Sequence, residues 1–168
     1  MKTVRLNLDK ELKNNNYRTQ KNIQQMKKLY NKLFELLKEI PELKYIDLNF
    51  GQIMEEKPPL AYPAVLINIG VNSTDTFHDI LQQFNAEFTL SLVVKAGDTS
   101  SLTEENRREQ AMAYLDLSEK IYSKLQGYED GHFETFTFKS ATEPNLRKGL
   151  KIVALRYSCG WKQEVAKP

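Results

Sequence analysis

Between positions 21 and 40 the apolar residues recur three and four apart, at Ile23, Met26, Leu29, Tyr30, Leu33, Phe34, Leu36, Leu37 and Ile40. That spacing predicts an amphipathic helix with one wide buried face, roughly 30 Å long at 1.5 Å per residue. Lys27, Lys28, Lys32, Glu35, Lys38 and Glu39 supply its wet side, and Pro41 closes it. A second helix is predicted to begin at the capping-box spacing Ser101–Glu104 and to run to about Gln126, where Gly127 is a natural cap. Its inward residues would be Ala111, Tyr114, Leu115, Ser118, Ile121, Tyr122 and Leu125.

Other stretches alternate with period two. Tyr45–Phe50 predicts a strand with one solvated side. Tyr62–Gly70 is the most apolar run in the chain and opens with Pro63, which a sheet tolerates at a strand start because proline has no ladder donor. Val65, Ile67 and Ile69 face one way and Ala64, Leu66 and Asn68 the other, so both faces need cover. A helix, a neighbouring subunit or both would supply the second cover, a hint of assembly. Residues 71 to 81 read as a polar loop, and Phe84–Lys95 as a long strand with Phe84, Ala86, Phe88, Leu90, Leu92 and Val94 on one face. Two last strands, around Glu134–Ala141 and Gly149–Trp161, flank the turn-prone Glu143–Asn145 and should pair antiparallel. The order helix, three strands, helix, two strands predicts an α+β fold: an antiparallel, at most mixed, sheet of four to five strands with both helices on one face. Near the start, Val4, Leu6 and Leu8 alternate with Arg5, Asn7 and Asp9. Residues 1–18 therefore read as an extended arm and polar linker, and 19–168 as a single α+β domain.

Composition narrows the classes of function. The chain has 168 residues, enough for one core without staples. With 24 basic and 22 acidic residues the net charge is +2, so no general attraction to nucleic acid or to a membrane is expected. No apolar run approaches the eighteen or so residues that cross a bilayer, and the N-terminus lacks the apolar centre of a signal peptide, which points to residence in the cytoplasm where the chain is made. The lone Cys159 allows neither an internal disulfide nor a cysteine-rich metal site.

The sequence offers little chemistry. There is no Walker loop, dinucleotide fingerprint, HExxH, nucleophile elbow or paired-cysteine pattern. Asp75, His78 and Asp79 would share a loop and could hold a divalent metal, though a solvated loop is the plainer reading. His132 sits in a glycine-flanked turn. Cys159 would need a histidine partner to act as a nucleophile, and otherwise packs as a small hydrophobe. Arg107, Arg108 and Arg147 are the candidates for nucleic-acid contact. Trp161 and Phe136 are either interface anchors or core. No catalytic, cofactor-binding or metal-ligating residue is assigned, and no enzyme activity is expected.

Four stretches together carry a resemblance: Tyr62–Gly70 with its Pro-Ala-Val opening, Phe84–Lys95, Leu115–Gly127 and Leu150–Cys159, with the amphipathic helix before them. This pattern is similar to the tail-terminator and tail-completion proteins of long-tailed phages. The resemblance implies an α+β subunit, made in a bacterial host cytoplasm, that works in the virion. It implies a homo-oligomeric ring, a hexamer in that family, contacting the tail tube protein and the head connector protein, with no catalytic residues to transfer. Alternatives are another ring-forming neck, baseplate or tail-derived secretion subunit, and, in a different class, a small enzyme or ligand-binding domain using His78 or Cys159.

Overall fold

A computed structural model describes residues 24–77, 81–95 and 105–164. Over these, α1 (24–37) is followed by β1 (Tyr45–Leu48), a one-turn 3-10 helix (Gln52–Met54), β2 (Ala64–Phe77) and β3 (Leu81–Lys95). Then come α2 (Glu105–Leu125), β4 (Thr137–Thr142) and β5 (Leu150–Glu164). The strands form one sheet in the order β1-β2-β3-β5-β4. All neighbours are antiparallel except β1 and β2, which run parallel. This is the expected α+β architecture, with the sheet mixed at one edge. The arm Val4–Leu8, the capping segment Ser101–Glu104 and the pair His78 and Asp79 lie outside the described residues.

Both helices pack on one sheet face. Leu29, Leu33 and Leu37 of α1 and Leu117, Ile121 and Leu125 of α2 join Phe88, Leu90, Leu92, Leu155, Tyr157 and Trp161 in a single core. The register places Phe84 opposite Trp161 and Phe88 opposite Tyr157. Their rings accordingly stack at 5.5 and 5.3 Å, the cross-strand pairing that stabilises a sheet face. Phe136 meets Phe88 edge-on at 5.2 Å. Trp161 and Phe136 are therefore core residues and not anchors for a partner.

Three expectations change. On α2, Leu115 and Tyr122 are largely exposed while Leu117, given no inward role by the spacing, is buried. The helix docks on the stripe 117, 121, 125, and the sheet rather than the local apolar count selects that stripe. Second, residues 71–77 continue β2 instead of looping: Ser73 to Phe77 pair with Asn85 to Leu81 after a bulge between Val71 and Ser73. Asn72 and Asp75 disfavour a strand and the stretch lacks an apolar stripe, but here β3, itself paired with β5 out to Glu164, templates it. Asp75 thus belongs to a strand and not to a metal-binding loop. Third, the second face of β2 is covered from within the chain, by neither α1 nor α2. The crossover between β1 and β2 lays Ile53, Leu60 and Tyr62 over Ala64, Leu66, Val93 and Ile152, a small second core. A parallel pair requires such a crossover, and this one doubles as the cover. The double-sided apolar pattern of Ala64–Gly70 is satisfied within one chain. Beyond the crossover the same face is wet, with Asn68, Glu87 and Arg156 exposed.

Candidate interaction surface

The crossover begins with a tightly held turn. Gly51 takes the left-handed conformation (φ 86°), which glycine adopts without the cost of a β-carbon. The Asn49 side chain accepts the Gly51 N–H at 3.0 Å, and Gln52 Oε1 accepts that of Phe50 at 2.8 Å. Gln52 Nε2 donates back to the Leu48 carbonyl at 2.8 Å, so this buried amide is satisfied at both ends and locks the turn to the end of β1. Ile53 then points inward, while Phe50 (75% exposed) and Met54 (70%) point out.

Arg147, in the turn between β4 and β5, fastens the far side. Its guanidinium donates to the carbonyls of Ile53 (2.7 Å), Glu55 and Glu56 (2.5 Å). A rigid fork of donors suits three carbonyls converging from one strap. This is a structural role, and Arg147 is not free to read nucleic acid in the way the sequence alone allowed. Its neighbour Leu146 is 53% exposed. A second exposed apolar group lies along α2, where Met112, Leu115 and Tyr122 face outward. Tyr122 also meets Phe138 of β4 edge-on at 5.2 Å. Sequence reasoning missed the strap group. Its only signal was Phe50 and Met54 within one turn of Gly51, and nothing local connects that turn to Arg147.

The residues considered for chemistry are scattered. The Cys159 side chain is buried in the core, and burial, with a smaller push from Glu134, raises its thiol pKa to about 12. A thiol so desolvated stays protonated at neutral pH, the reverse of what a nucleophile needs. His132 meets Gln25 of α1 through Nε2 at 2.6 Å, and burial, then the nearby Lys28, lowers its pKa against the opposing pull of Asp130. In that turn burial would raise the Asp130 pKa, yet the Phe133 and His132 backbone N–H donors hold it low. The turn is thus closed on itself. Arg107 and Arg108 fall in the first turn of α2, and their side chains lie outside the described residues. No group of three or more potential metal ligands occurs among the described residues. A groove of about 650 Å³ between the end of α1 and α2 is bridged by the ion pairs Lys120–Glu42 and Lys124–Glu39.

No protein-family model matches this chain, and no curated protein matches it. Among solved structures, a chain from the "Virion of native gene transfer agent (GTA) particle" is similar at 12% identity, covering 71% of this chain and 78% of that chain with a TM-score of 0.39. That overlap is too loose to bear on function. No described helix is long and apolar enough to cross a membrane.

Proposed function

We propose that this chain is a structural, non-catalytic subunit of a phage or prophage tail: a terminator or completion protein that caps the tail tube and joins it to the head connector. It would act in the virion as a closed ring of six identical subunits joined head to tail. One observation supports the reading above others. The four stretches that resemble the tail-terminator family are not dispersed in space: they are β2, β3 and β5, three adjacent strands, and α2, which packs on their inner face. The resemblance therefore falls on one folded unit. The strongest candidates for chemistry have other uses, Cys159 in the core and Arg147 on the strap. What stays exposed is apolar surface suited to protein contact.

The test is imaging of tails assembled with and without the protein. The reading requires tails of uncontrolled length, or tails that fail to join heads, when the protein is missing. Tails of normal length that join heads in its absence refute it.

A further inference from the structure

We propose that His132 is a proton-operated latch: its neutral imidazole fastens the first described turn of α1 to the turn ahead of β4, and uptake of a proton releases that end of the helix.

The contact is built from both sides. Asp130 shapes the turn, its Oδ1 accepting the backbone N–H groups of His132 (2.8 Å) and Phe133 (2.7 Å) and its Oδ2 the Tyr128 hydroxyl (3.0 Å). The His132 ring stands edge-on to Phe133 at 4.6 Å, and Phe133 is itself buried in the main core. The imidazole so placed meets α1, where Nε2 lies 2.6 Å from Oε1 of the buried Gln25. An amide oxygen only accepts, so Nε2 carries the proton, and the neutral ring takes a second one only at Nδ1.

That second proton arrives in an unfavourable place. Lys32 of α1 lies 3.7 Å from Asp130. Gln25, Lys28 and Lys32 are three and four apart and share one stripe of the helix, which sets Lys28 between the two contacts and over the turn. The charges that meet at His132 are thus Lys28 from α1 and Asp130 from its own turn, with Lys32 behind Asp130. Glu129, Glu134 and Lys162 line the same cleft. Glu129 accepts from the Thr135 hydroxyl at 2.7 Å, while Glu134 accepts from Gln83 at 3.0 Å and stands 4.0 Å from Lys162. Asp130 already has three donors and an ion pair, so a cationic imidazole would face Lys28 with its own charge partly desolvated. Burial first, and Lys28 second, hold the His132 pKa below its ordinary 6.5 against the pull of Asp130. The closed latch therefore binds the proton less tightly than the open one. Its stability is complete above pH 6.5 and is lost as pH falls from there through the lower pKa of the folded protein. Opening stops short of the rest of the helix, because Leu29, Leu33 and Leu37 are held in the core.

Amide exchange in the full-length protein tests this, with His132→Gln for comparison, since glutamine keeps a donor for Gln25 and does not titrate. The probes are the Lys28 and Leu29 N–H groups, which bond the carbonyls of Gln24 and Gln25 one turn back. At pH ~8 the two proteins should protect them alike, and at pH ~5 the wild type should protect them several-fold less, with amides in the middle of β3 unaffected. A ratio of wild type to variant that does not change between the two pH values, or a loss shared equally by β3, overturns the proposal. Proton NMR gives a second reading. The His132 ring, assigned by its absence from the spectrum of His132→Gln, should titrate below 6.5, and Lys28→Met should move the midpoint back toward that value. A wild-type midpoint at or above 6.5, or one that Lys28→Met leaves in place, also overturns it.

Discussion

Replacing Arg147 with methionine keeps the aliphatic stem and removes every donor that holds the strap. Of the three carbonyls it serves, that of Ile53 is partly buried, whereas those of Glu55 and Glu56 are exposed and can turn to water. A hydrogen bond from a charged donor contributes about 1.5–3 kcal/mol, and water recovers most of it at exposed acceptors, so the whole substitution should cost about 1–2 kcal/mol. The loss should be local. The strap covers only the small second core, while β3 and β5 are held by the main core on the opposite face. Native-state amide exchange is therefore the assay. The N–H groups of Met54 and Glu55, bonded to Gly51 and Gln52, should lose protection by about 5- to 30-fold, the factor that one or two kcal/mol represents. Amides in the middle of β3 and β5 should keep theirs. Arg156→Met, on the wet face of β5, should change neither set. Unchanged protection in the strap, or an equal loss across β3 and β5, would show that Arg147 is not the fastener described.

Two further predictions address the core. Leu117→Ala should destabilise the fold by about 2–5 kcal/mol in urea unfolding, as a fully packed leucine does, whereas the exposed Leu115→Ala should stay within about 0.5 kcal/mol; comparable losses would mean that the docked face of α2 is misassigned. For Cys159 the folded thiol pKa is raised from 9.0 to about 12, so the unfolded chain releases this proton first. Its contribution is then complete below pH 9 and is lost as pH rises from there toward 12. Denaturant midpoints of wild type should fall over that interval more steeply than those of Cys159→Ala, and parallel curves would contradict a buried, protonated thiol.

Among the elements, α1 was the most legible, because a long stripe at helical spacing has one solution wherever it docks: Leu29, Leu33 and Leu37 are all buried, and of its described apolar residues only Phe34, at the edge of the expected face, is 38% exposed. On α2 the spacing placed Ile121 and Leu125 inward correctly, but apolar residues flank them on both sides, so the sequence alone could not choose whether Leu115 with Tyr122 or Leu117 shares their face. The extension of β2 was illegible for a different reason. Residues 73–77 carry no hydrophobic alternation, and their strand state comes from pairing with β3. The candidate surface was least legible, since it joins a turn near residue 50 to one near residue 146 through an arginine whose partners are backbone carbonyls of unremarkable sequence.

By itself the sequence determined the class of fold, the order of helices and strands, the start of β2 just past Pro63 and the inner face of β3. Each of these follows from local periodicity or from the backbone limits of one residue, both of which act over a few positions. The tertiary structure alone decided what covers the second face of β2, which stripe of α2 is buried, how far the central hairpin extends, and that Cys159 is core and Arg147 a fastener. Those outcomes depend on contacts between residues far apart in the chain, where packing area and unsatisfied backbone groups outweigh the preference of any single segment.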